Sequence, residues 1–214
     1  MALQRRRMSE PAAEPIRPAA TVVLWRRGPT GPEVLMGMRG AAAVFMPSKY
    51  VFPGGGVDAG DAGSGPALPV DEACLRRLGT LVPEGGPAPE ALIACALREL
   101  NEETGLRLGQ SDGAQTLRFI FRAITPPGRS RRFDARFFLL DADWIDGRHD
   151  DFSAAEAELT HLHWIALREA RTLDLPFVTE VVLAEVARIL AGIPQRGVAF
   201  FDNSGPVPTF RWLD

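Results

Sequence analysis

The stretch from Pro89 to Leu108, PEALIACALRELNEETGLRL, constrains the fold more than any other part of the chain. Pro89 suits the first position of a helix, where its missing N–H is an unpaired donor in any case. Gly105 suits the residue just past the helix end, where a left-handed backbone is needed. Between them Ile93, Ala96, Leu97 and Leu100 recur at helical spacing and make one apolar stripe. Glu99, Glu102 and Glu103 stand at i, i+3 and i+4, so their carboxylates share a neighbouring face within an arc of about 100°. That face does not overlap the stripe. The spacing predicts a helix that buries one side in a core and holds three carboxylates over a cleft.

Carboxylates so close repel, by roughly 0.2–0.5 kcal/mol per adjacent pair even when solvated. They also crowd into the last turn, where the negative end of the helix dipole disfavours them further. A solvated acidic face is the plain reading of such a cluster. A divalent cation turns both penalties into attraction, because hard cations such as Mg²⁺ take oxygen ligands. Composition and spacing thus point to a metal site and not yet to a reaction.

Glu90, then Arg98-Glu99-Leu100, Glu102-Glu103 and Gly105-Leu106 spell E-x7-R-E-U-x-E-E-x-G-U, with U a bulky apolar residue. The chain resembles the Nudix hydrolases in this string, which agrees with their signature box at every fixed position after its opening glycine. The box normally opens with Gly six residues before its first Glu, a place held here by Glu84. A suitable glycine turn comes earlier, in Phe52-Pro53-Gly54-Gly55-Gly56-Val57-Asp58, with Asp61 six residues after Gly55. An insertion of about Ala62 to Ala88 therefore separates two halves of the box, and the turn is expected to meet the helix in space. Placed inside a working box, the insertion is expected to serve substrate choice more than folding, as a lid or a cover for a sheet edge.

The rest of the chain reads as one domain, residues 18–214, behind a mobile Pro/Ala/Glu-rich tail, residues 1–17. Ala20–Trp25, Glu33–Met38, Thr116–Thr125, Phe133–Leu140 and Leu162–Ile165 read as strands. Pro176–Ala191 is a second helix, with a short one at Asp71–Leu78 and an ambiguous strand pair after Gly197. Strands on both sides of a central helix, plus a late helix, fit an α/β/α sandwich with a mixed central sheet, the fold that the resemblance implies. A net charge of -3 gives no basic footprint for nucleic acid. Cys74 and Cys95 lack a partner at metal spacing, and Cys95 reads as a small core residue. With no secretory leader and no apolar run of membrane length, the expected location is the cytoplasm. The oligomeric state, a homodimer included, is left open.

What the resemblance implies is metal-dependent hydrolysis of a nucleoside diphosphate linked to another group, with Mg²⁺ or Mn²⁺ as cofactor. Glu99, Glu102 and Glu103 stand where the family's metal ligands stand, Arg98 orients a neighbouring carboxylate, and Glu90 is a structural partner. Gly54 and Gly55 bring backbone N–H groups near the metal and phosphates. Glu156 and Glu158 are the candidates for the base that activates water; each reads equally well as a solvated loop charge, with Glu158 preferred. Arg39 is assigned to the substrate, as is Arg132, one of a set with Arg129, Arg131 and Arg136 that reads equally as a basic edge. Trp25, Phe45, Tyr50 and Phe52 read as core with base stacking as the alternative. A further, looser likeness, in MPSKYVFPGGGVDAGD and ITPPGRSRRFDARFF, is to the branch with coenzyme A diphosphatases. Coenzyme A or its acyl derivatives are the first expectation for substrate and ADP-ribose or another dinucleotide the second. A non-catalytic nucleotide sensor is the reading from another class, disfavoured by the intact acids.

Overall fold

The computed structural model describes residues 14–63, 68–109 and 117–214. Strands β1 (Ile16–Gly28) and β2 (Gly31–Arg39) form a hairpin, followed by the short strands β3 (Tyr50–Val51) and β4 (Gly54–Gly56). Helices α1 (Glu72–Leu78) and α2 (Pro89–Thr104) lead into β5 (Arg118–Ile124) and β6 (Arg132–Asp141). Then come β7 (Leu159–Ala166), α3 (Phe177–Leu190), β8 (Val198–Asp202) and β9 (Thr209–Leu213). All nine strands join one mixed sheet in the order β3-β2-β1-β6-β5-β8-β9, with β4 on β1 and β7 on β2. The pairs β1–β6 and β5–β8 are parallel and the others antiparallel.

Side chains alternate across β1 and sort the core into two layers. Ala20, Val22 and Leu24 face α2, where Leu92, Ile93, Ala96 and Leu100 cover them with Phe138 and Leu140 of β6. Val23 and Trp25 face the other way, onto Val182, Leu183 and Val186 of α3. This is the expected α/β/α arrangement. The ends of α2 also fall where the sequence places them, with Pro89 in the first turn and Gly105 left-handed at φ 74°.

Two expectations are corrected. The tail assigned to residues 1–17 ends sooner, because Ile16 and Arg17 already pair with Arg132 and Phe133 of β6; residues 1–13 of that assignment lie outside the described residues. The insertion is no detachable lid. Asp71 caps α1 by accepting from the Ala73 amide, and Leu68, Cys74 and Leu78 are buried in the α2-side core. The guanidinium of Arg122 donates to the carbonyls of Thr80 and Leu81 at 2.9 and 3.1 Å, tying the insertion to the middle of β5.

Arg122 belongs to a buried ionic group. Its Nε and Nη2 grip both oxygens of Asp134 at 2.8 and 2.7 Å, and Asp134 also takes Nη1 of Arg136 at 2.9 Å. Arg122 also lies 4.3 Å over the ring of Phe200. Burial and the neighbouring Arg122 draw Arg136 down to about 10. The insertion carbonyls complete the bonding of Arg122, whereas among the described residues Arg136 has only Asp134, through Nη1, and buries its Nε and Nη2 without a hydrogen-bond partner.

Since Leu78 is 1% exposed and fills the core from inside the insertion, Leu78→Ala is expected to lower the unfolding free energy by about 2–5 kcal/mol. Urea denaturation measures it; a loss below about 0.5 kcal/mol, the range of surface changes, would return the insertion to the status of an appendage.

Candidate active site

The two halves of the box meet at the guanidinium of Arg98. Its Nε and Nη2 donate to the two oxygens of Asp61 at 2.9 and 3.0 Å, and Nη2 also donates to the carbonyl of Gly56 at 3.0 Å. Its Nη1 donates to Glu99 and to Glu102, both at 2.9 Å. Surrounded by carboxylates, Arg98 holds its proton more tightly than an ordinary arginine, and its hold on Asp61 comes first among the causes. Asp61, at 3% exposure, is the buried end of this fork. Glu90, matched to the first Glu of the box, is instead exposed on the first turn of α2. Asp61, six residues after Gly55, is the acid that takes the arginine.

The glycine turn lies against α2 as strand β4, antiparallel to Ala19–Thr21 of β1. Gly54 N–H donates to Glu103 Oε2 at 2.7 Å. A Cβ on Gly55 would stand 2.3–2.6 Å from the carboxylate of Glu99, so a larger residue there would make this acid swing away from the turn. From below, the buried Cys95 donates its thiol to the carbonyl of Gly56 at 3.3 Å. Burial pushes that thiol up to about 12, which makes it a fixed donor and no nucleophile.

Glu103 is the most perturbed acid of the group. It is 2% exposed, and its Oε1 is buried without a hydrogen-bond partner. Burial pushes its proton affinity up to about 8, with further push from the negative charge of Glu99 and Glu158. Glu99 is raised as well, by burial first, against the opposing pull of Arg98. Glu158, the residue before β7, adds its negative charge to both acids, and Arg39 Nη2 holds it at 2.8 Å. Glu156 contributes its backbone amide, which donates to the Glu102 carbonyl at 2.8 Å.

Among the described residues, no three His, Cys, Asp or Glu side chains already form a metal cluster. The physical reason is visible in the contacts: Arg98 draws Glu99 and Glu102 to itself, while Glu103 turns to the Gly54 amide. The donor set nevertheless fits a hard cation. It offers carboxylate oxygens alone, and a buried unpartnered acceptor beside like charges is what a divalent ion relieves.

Other predicted residues stay apart. Arg132 is buried and spends its side chain on the carbonyls of Thr125 and Asn203, at 3.0 and 2.7 Å, so it cannot clamp a substrate phosphate. Arg136 is locked in the core with Asp134. Arg129 and Arg131 are exposed on the β5–β6 turn. Trp25 and Phe52 are core residues, whereas Phe45 packs edge-on against Phe133 and Tyr50 against His163.

The family profile of the NUDIX domain matches residues 72–185, more than half of the chain. The chain belongs to the Nudix family. Its structure is similar to that of a NUDIX hydrolase from Alicyclobacillus acidocaldarius, at 27% identity and a TM-score of 0.57 over 80% of this chain and 90% of that one. The fold is shared with the NUDIX domain of Shewanella oneidensis NrtR, solved with ADP ribose, at 13% identity and a TM-score of 0.52 over 83% and 90%. It is shared too with RenU, a Nudix hydrolase from M. smegmatis, at 17% identity and a TM-score of 0.50 over 84% and 88%. As a Nudix hydrolase the chain is a pyrophosphohydrolase of nucleoside diphosphate-linked substrates, in a family that uses a divalent metal such as Mg²⁺ or Mn²⁺. Among the described residues no helix is long and apolar enough to cross a membrane.

The raised proton affinity of Glu103 has a sign that can be checked. Folded Glu103 keeps its proton up to about 8 while an unfolded glutamate releases it near 4.5, so the folded state binds more protons between these values. Stability then falls as pH rises through that window. In EDTA the melting temperature of the wild type should drop between about pH 5 and pH 8 more steeply than that of Glu103→Gln. Equal slopes in differential scanning calorimetry would show that Glu103 is an ordinary surface acid.

Proposed function

We propose that Glu99, Glu102 and Glu103 hold the divalent metal and that Glu158 is the base that takes a proton from the attacking water. The observation that carries this reading is the buried, unpartnered oxygen of Glu103, set beside Glu99 and pinned by the Gly54 amide. A bound divalent ion supplies charge neutralisation on the diphosphate oxygens and lowers the pKa of coordinated water. Arg98 holds Glu99 and Glu102 side by side through Nη1, each at 2.9 Å, and these are the oxygens that would turn to a bound ion. Arg39 grips Glu158 at 2.8 Å and presents the remaining face of its guanidinium to an anionic substrate. Water then adds to one phosphorus, the bridging P–O bond breaks, the proton passes to Glu158, and two phosphomonoesters leave.

For the substrate we infer coenzyme A or an acyl-coenzyme A, on the likeness of MPSKYVFPGGGVDAGD and ITPPGRSRRFDARFF to the coenzyme A diphosphatase branch. The products are adenosine 3′,5′-bisphosphate and 4′-phosphopantetheine, the latter with any thioester uncut. ADP-ribose is the alternative, since a protein of the same fold carries it. The burial of Arg132 and Arg136 takes two arginines away from a basic clamp around the coenzyme A phosphates, whereas Arg39 stands beside Glu158 with its guanidinium at the site.

A panel of coenzyme A, acetyl-coenzyme A and ADP-ribose, run with Mg²⁺ or Mn²⁺ in ¹⁸O water, decides both points by product mass. The label should enter a phosphomonoester. Glu103→Gln and Glu99→Gln should each lower turnover by roughly a hundredfold or more, beyond what loss of an outer-shell partner costs. Wild-type rates in either variant at saturating Mg²⁺ would remove the ligand assignment.

A further inference from the structure

Between the end of β6 and Glu158, residues Ile145 to Glu158 have no regular secondary structure, yet they are clasped at both ends. The first clasp is on α2. A Cβ at Gly105 would lie 2.9 Å from the backbone carbon of Ala154 and from the nitrogen of Ala155, and 3.0 Å from the Ala154 side chain. Glycine is therefore needed there twice over, for the left-handed helix end and for the peptide seated against it. The Glu156 amide seals the contact by donating to the Glu102 carbonyl, one of the acceptors that the last turn of a helix leaves free.

The second clasp is on β1 and β7. Trp164 donates its indole N–H to the carbonyl of His149 at 2.8 Å. Arg26 lies 4.3 Å over the same indole ring and donates to Asp150 at 2.8 Å, while Glu33 holds its other edge at 2.8 Å. Between the clasps Phe152 packs on the α2-side core. A segment so fixed constrains Glu158, its last residue, from the upstream side, while the Arg39 ion pair and the pairing of Leu159 on β2 hold it from the other.

We propose that Gly105 and Arg26 are positioning residues for hydrolysis, acting through this arm on Glu158. The inference rests on the assignment of Glu158 as the base. It gives the glycine of the box a duty besides ending the helix, and it extends the machinery to an arginine near the turn of the β1–β2 hairpin.

The two duties of Gly105 can be separated, because asparagine tolerates a left-handed backbone but brings a Cβ. Gly105→Asn should therefore keep α2 and displace the arm. Arg26→Gln opens the other clasp and keeps the test alive should Gly105→Asn fold poorly. Both are assayed on whichever of coenzyme A and ADP-ribose the wild type cleaves, alone and combined with Glu158→Gln. The expected result is a kcat lowered about tenfold or more in each single variant. KM, and Mn²⁺ affinity measured by electron paramagnetic resonance, should stay within about twofold of the wild type, since neither ligands nor substrate contacts change. In the Glu158→Gln background neither change should cost anything further. Losses that simply add in that background, or wild-type kcat in both single variants beside an impaired Glu158→Gln, overturn the inference while the base assignment stands. A Glu158→Gln enzyme with wild-type turnover removes the base assignment, and the inference with it.

Discussion

The fork of Arg98 on Asp61 holds this molecule's chemistry together. The donor comes from the middle of α2 and the acceptor from the loop after the glycine turn, 37 residues earlier in the chain. Both oxygens of Asp61 and two nitrogens of Arg98 are engaged, the geometry in which an arginine–carboxylate pair is strongest and most directional. The remaining Nη1 of the same guanidinium holds Glu99 and Glu102. One planar group thus registers the turn against the helix and sets the acids facing the turn. Lysine has the charge but no fork, and could not do both.

Seen from that pair, the long insertion costs the site little. The chain leaves the turn just past Asp61 and rejoins at Pro89, and everything that must be close in space is held by side chains that flank the excursion. The excursion itself is put to structural use. Its apolar residues, Leu68, Cys74 and Leu78, close the core beside α2, and the carbonyls of Thr80 and Leu81 receive Arg122. The central sheet can then keep the Arg122–Asp134–Arg136 group away from water, which a bare sheet face would expose.

Much of this was legible in the residues because it is encoded locally. The ends of α2, its apolar stripe and its acidic face all follow from side chains within a few turns of one another. The glycine turn and its spacing to Asp61 were equally readable, but Glu90, which fits the spacing of the first acid of the box, lies exposed, and it is Asp61 that takes Arg98. Arg132 and Arg136 were misread for a different reason. Charged residues alternating with Phe133, Ala135 and Phe137 look like the wet face of a strand, and the partners that make burial tolerable stand elsewhere, at Asn203 for Arg132. The insertion was misjudged because its apolar residues are sparse among Gly and Pro, so nothing in the pattern distinguishes a core plug from a loop. Arg26 and Trp164 carried no signal at all, since their partners His149 and Asp150 lie in a stretch with no periodicity.

The parallel pairing of β1 with β6 has a consequence for how the chain reaches this state. Ile16 through Trp25 find their partners more than a hundred residues later, and through them the sheet's centre is assembled. On a ribosome, β1 and β2 emerge as a hairpin with one long apolar edge and must wait until β6 has been synthesised before that edge is closed. Non-local pairing of this kind slows folding and prolongs exposure of unpaired backbone. The nascent N-terminal half is therefore the interval in which a holding chaperone has most to protect, and rare codons placed before β6 would lengthen it.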